Sequence, residues 1–172
     1  MPIFSPDELS YNQRAHRNER PENHEFTPNE LLFRRYREND LVNGRPTPLG
    51  FSFAETTGHS VNRGNYSQPQ DVLEPDCCDG HARSDCVVLE FNVADVPGEL
   101  VSSDQTRHTY FFRLKHVPKA TCFAHSEMWC NQQGNIHEPY QYPPKNVRDR
   151  FRAELIRRIT LPPRRFDPVS VA

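Results

Sequence analysis

The chain has 172 residues, a net charge of -2, and a polar composition: 35% hydrophobic, 26% charged, mean hydropathy -0.84. That length supports one domain with a real core, and the near-neutral charge gives no global field favouring nucleic acid or a membrane surface. Sixteen prolines against seven glycines argue for stiff connections rather than a long-helix bundle.

Residues 1–29 read as a polar N-terminal arm, with a single domain over 30–172. Ser5-Pro6-Asp7-Glu8 is a helix-start signal with little apolar surface behind it. The opening MPIFSPDELS lacks a basic segment followed by an apolar run, and no stretch is long and apolar enough to span a bilayer. The expectation is a cytoplasmic protein with its five cysteines reduced.

Thr27-Pro28-Asn29-Glu30 repeats the start signal before LLFRRY, and predicts a brief turn followed by a strand over 31–36. An arginine inside an apolar strand is costly unless paired, and a strand sends Arg34 and Arg35 to opposite faces, so one of them needs a special role. Residues 39–70 read as long loops with a short strand near Phe51 to Phe53, and Gln68 to Leu73 fits one helical turn.

GHSVNRGNYS, residues 58–67, reads as a Gly-flanked loop carrying His59, Ser60, Asn62, Arg63 and Tyr66. Hydroxyls, a guanidinium and backbone N–H groups together suit a phosphate or carboxylate, and the glycine spacing fits neither a Walker nor a dinucleotide fingerprint. The alternative is an ordinary solvated turn. DCCDGHARSDC brings Cys77, Cys78, His81 and Cys86 together, but adjacent cysteines rarely share one ion, so no metal is assigned.

CVVLEFNV, TYFFRLKHV and TCFAHSEMWC are the clearest strand patterns. Short connections favour antiparallel pairing. In the last of them Phe123, His125, Glu127 and Trp129 share a face. An imidazole and a carboxylate two apart can move a proton or simply satisfy each other. The C-terminal PPKNVRDRFRAELIRRI predicts a helix of about four turns from Val147, Phe151, Leu155 and Ile159, with Asn146 as its cap. Residues 145–165 hold eight Lys or Arg against two acids. Arg148 and Arg152 fall beside the apolar stripe, where they either hold an anion or pack their stems and keep their heads wet.

The order Arg34 in LLFRRY, Ser60 or Tyr66 in GHSVNRGNYS, and Glu127 in AHSE resembles ADP-ribosyltransferase-like folds. That resemblance implies a split sheet gripping NAD. It gives Arg34 the pyrophosphate or ribose, and Glu127 the oxocarbenium ion left as nicotinamide departs. Where the family has a glutamate pair, this chain has His125-x-Glu127. The FRR, HSVNR and AHSE stretches are also similar to those of small bacterial proteins of no assigned function.

The fold class expected is α+β: a mainly antiparallel sheet, a C-terminal helix packed on it, and long loops. Two functions stay open. One is an enzyme acting on a nucleotide or other phosphate-bearing ligand. There His125, Glu127 and His59 do the chemistry while Arg34, Ser60, Arg63, Tyr66, Arg148 and Arg152 bind. The other is a non-catalytic module whose arm and basic helix take a partner protein or nucleic acid. The enzyme reading requires Arg34, the 58–67 segment and the 125–127 strand to meet at one cleft.

Overall fold

The computed structural model describes residues 25–74, 83–119 and 122–166. The helix-start signal at 5–8 lies outside them, as do Cys77, Cys78 and His81. The strands are β1 (Leu31–Arg37), β2 (Leu41–Val42), β3 (Arg45–Pro46), β4 (His59–Arg63), β5 (Cys86–Asn92), β6 (Glu99–Val101), β7 (Thr109–His116) and β8 (His125–Asn131), followed by one helix, α1 (Lys145–Arg158). Six strands form a sheet ordered β5-β1-β4-β8-β7-β6, and β2-β3 form a separate hairpin. All pairings are antiparallel, so the α+β architecture stands.

The alternating strands form as their patterns dictate. Val87, Leu89, Phe91 and Phe112 point to one side and are buried against Val147, Phe151 and Leu155 of α1. Full burial of each large aliphatic or Phe contributes about 1.5–3 kcal/mol. The opposite face of β1 and β5 is also covered, by Phe33 and Val88 packing on Val72 of a 3-10 turn at Pro69–Leu73. That explains why β5 is buried on both sides. Pro144, not Asn146, caps α1; the Asn146 side chain instead donates to Ser103 Oγ at 2.6 Å.

Three local readings need correction. Residues 51–53 are irregular, not a strand. HSVNR is not a loop but β4, a central strand paired on both edges. Its one aliphatic residue, Val61, gives little local signal, and its neighbours β1 and β8 impose the extended form. Gly58 enters it so closely against β8 that a Cβ would lie 2.4 Å from the Met128 carbonyl oxygen, so no side chain fits there. Finally, Cys122 is disulfide-bonded, so the thiols are not all reduced; Cys86 and Cys130 are free.

The sheet carries an internal gap. β1 pairs with β5 along its whole length, Leu31↔Asn92 to Arg37↔Cys86. With β4 it pairs only at Leu32↔Arg63 and Phe33↔Asn62. Beyond Phe33 the two strands part, and β4 continues along β8 alone.

Candidate functional site: a basic cleft in the split sheet

A cavity of about 750 Å³ opens at this split. One wall is β1, and the other is Gly58 to Asn62 with His125. The loop before β4 closes a third side. It is held by Tyr36, whose hydroxyl donates to the Thr47 carbonyl at 2.7 Å and accepts from the Thr47 N–H at 2.8 Å. The Tyr36 ring lies against Gly50, where a Cβ would meet it at 2.1 Å.

Among the described residues, Arg34, Arg35, Arg37, Arg83 and Lys119 line the cavity against Asp40 and Asp85, an excess of three positive charges. Alternation along β1 puts Arg34 on the helix side with Leu32 and Tyr36. Its guanidinium lies 5.3 Å from the Phe51 ring centre, and its Nη1 donates to the Ser60 carbonyl at 2.7 Å across the split. No carboxylate pairs with Arg34 among the described residues. Burial and then Arg35 push its pKa down to about 10.

His59 is buried among Phe51, Phe53 and Phe151, its ring stacked on Phe151 at 5.9 Å. Burial first, then Arg34 and Arg152, hold its pKa well below the ordinary imidazole value, so it stays neutral and supplies no proton at neutral pH. Arg152 reaches the same corner from α1, donating to the Phe51 carbonyl at 2.7 Å.

On the other face of the split, His125 Nε2 lies 3.2 Å from Ser60 Oγ, and His125 Nδ1 lies 2.8 Å from the Val117 carbonyl. Glu127 stands opposite Ser60 in the β4–β8 ladder and accepts the Gly58 N–H at 3.2 Å. Burial raises its pKa, opposed by that N–H and by Lys119 and Lys115. Between the ordinary and the raised value the folded protein therefore binds more protons than the unfolded chain. Stability falls as pH rises through that interval. Glu127→Gln removes this slope, so the variant's stability should fall less than the parent's as pH rises above the ordinary carboxylate range. Urea titrations across that interval check this.

Sequence reasoning thus places Arg34, His59, Ser60 and His125 on one cavity, with Glu127 and Arg152 at its margin. It does not bring the others. Arg63 is fully buried, paired bidentately with Glu30 at 2.7 and 2.8 Å and lying 4.0 Å from the Phe26 ring centre. Tyr66 packs with His116 and Phe123. Arg148 stacks on Tyr142, 4.3 Å from its ring centre. Sequence reasoning missed Arg83 and Lys119, which lie in stretches with no periodicity to place them.

Cys86 lines the cleft, but burial and then Asp85 push its thiol up to about 11, so it is not a thiolate. Among the described residues no group of three or more His, Cys, Asp or Glu is placed to hold a metal ion, and no helix is long and apolar enough to cross a membrane. A second hollow, about 530 Å³ and lined by Phe26, Val93, Phe112, Leu114 and Ile136, holds none of these residues.

No protein-family model, curated protein or solved structure matches the chain. The reading of the cleft therefore rests on its own chemistry.

Proposed function

We propose that this chain is a small enzyme that binds a nucleotide or another phosphate-bearing ligand in the split of the sheet. One observation carries the reading. Arg34, Arg35, Arg37, Arg83 and Lys119 converge on one cavity, and among the described residues only Asp40 and Asp85 line it with the opposite sign. That surplus of positive charge suits the oxygens of a phosphate.

Within this class, NAD is the ligand suggested by the split, with Arg34 on one lip and Ser60 and Glu127 on the other. On that reading the reaction is a transfer from NAD, and Glu127 stabilises positive charge at the ribose. The competing reading, a module binding protein or nucleic acid through α1, has less support. Lys145, Arg150, Arg152 and Arg158 are ion-paired with the helix's own Asp149 and Glu154.

The test is a calorimetric and thermal-shift panel of NAD, ADP, ATP, pyrophosphate and RNA. A phosphate ligand at about 100 times its Kd should stabilise by about 2.7 kcal/mol and raise Tm by roughly 5–10 °C. Its affinity should weaken with salt. RNA binding that survives loss of Arg34, with no response to the small ligands, would favour the interaction module instead.

A further inference from the structure

We propose that Ser60 and His125 form a nucleophile–base pair in which Ser60 attacks the phosphorus of the bound ligand. This rests on the phosphate reading above, and it assigns the cleft phosphoryl chemistry in place of the transfer from NAD.

The argument starts from a carbonyl, which can only accept a hydrogen bond. His125 Nδ1 lies 2.8 Å from the Val117 carbonyl oxygen, so Nδ1 carries the ring proton. In the neutral ring Nε2 then bears the lone pair. It lies 3.2 Å from Ser60 Oγ and accepts the hydroxyl proton. A base oriented by a third group behind a hydroxyl is the arrangement that activates a serine. Here a backbone carbonyl takes the orienting role.

Burial gives the two groups their order. Ser60 is exposed to the cavity, while His125 is 5% exposed. A ligand in the cleft meets the hydroxyl, with the imidazole behind it. Both sit on regular strands whose ladder sets Ser60 opposite Glu127 and His125 opposite Asn62, so the diagonal contact is held by the sheet rather than by a loop. Arg34 donates to the Ser60 carbonyl at 2.7 Å from the helix side of the split, so a positive charge borders the strand at this residue, on the face opposite the hydroxyl.

The step balances without a further reactant. His125 Nε2 takes the Ser60 proton as Oγ bonds to phosphorus. The bond from phosphorus to the leaving oxygen breaks, and that oxygen receives the proton from the imidazolium. Water, deprotonated in turn by Nε2, then attacks the phosphoserine, releasing phosphate and restoring the hydroxyl.

The probe is diisopropyl fluorophosphate, a phosphorylating reagent that needs an activated hydroxyl and no cognate ligand. On the full chain we expect one adduct, mapped by mass spectrometry to the peptide holding Ser60. It should be absent in Ser60→Ala, form at least about 100-fold more slowly in His125→Gln, and be blocked by pyrophosphate. No adduct on Ser60, or equal labelling in a folded His125→Gln, overturns the pair. Should His125→Gln fail to fold, the wild-type rate decides, and a rate no faster than that of free serine overturns it. An adduct that no phosphate ligand blocks, in a chain that binds none, leaves the pair standing and removes the phosphate reading. Nucleotide binding without an adduct does the reverse.

Discussion

Glu30→Ala is expected to destabilise the protein by about 3–5 kcal/mol, the largest effect of any single substitution considered. Arg63 is 0% exposed and Glu30 5%, and their two hydrogen bonds sit in a shell made by the Phe26 and Tyr66 rings. Removing the carboxylate takes the bidentate counter-charge from a fully buried guanidinium that also donates to the Glu25 carbonyl at 2.6 Å. The pair itself is worth much less than its disruption, because both charges were taken out of water to form it. Replacing both ends, as in Glu30→Leu with Arg63→Met, should therefore recover most of the loss. Chemical denaturation of the two single variants and the double variant measures this. Equal destabilisation in the double would show that the pair contributes net stability. Since Arg63 sits in the strand that carries Ser60, the single variant should also lose ligand response.

Arg34→Gln should behave in the opposite way: affinity for a phosphate ligand falls about 100-fold, while stability stays within about 1 kcal/mol of the parent. The charged guanidinium is half-buried, no carboxylate among the described residues pairs with it, and its pKa is pushed down to about 10. For a base with a depressed folded pKa, the penalty is fully present below that value and fades only as pH rises towards the ordinary arginine range. At neutral pH the fold therefore carries the whole cost of the charge. Glutamine removes that cost but weakens the contact to the Ser60 carbonyl, and the two changes offset. Isothermal calorimetry with pyrophosphate and a denaturant titration separate them. A stability loss above about 2 kcal/mol with unchanged affinity would make Arg34 structural.

Much of this architecture was legible locally. CVVLEFNV and TYFFRLKHV alternate, and α1 repeats an apolar residue every four positions, so period alone assigns them. The special role of Arg34 or Arg35 also follows from period, since β1 sends one to each covered face, and both are half-buried. What sequence could not supply was β4. HSVNR, set between glycines, is a strand only because two other strands flank it, and Arg63 finds Glu30 across 33 positions. Arg63 and Arg34 look alike in sequence; a carboxylate beside Arg63, and none among the described residues beside Arg34, tells them apart. The Ser60–His125 contact spans 65 positions and is a product of register. Strand alternation alone puts Glu127 on the face of His125, but its acceptor role toward Gly58 comes from the closeness of two backbones.

The parting of β1 from β4 after Phe33 leaves peptide groups of both strands turned toward an enclosed space. Such groups at a sheet's outer border invite any passing chain to add itself. Set in the middle of the sheet, with the border strands β5 and β6 elsewhere, they offer the same ready-made donors and acceptors to something small. Kept inside the sheet, the parting leaves these groups out of reach of another chain's strand, so it does not add an aggregation-prone margin.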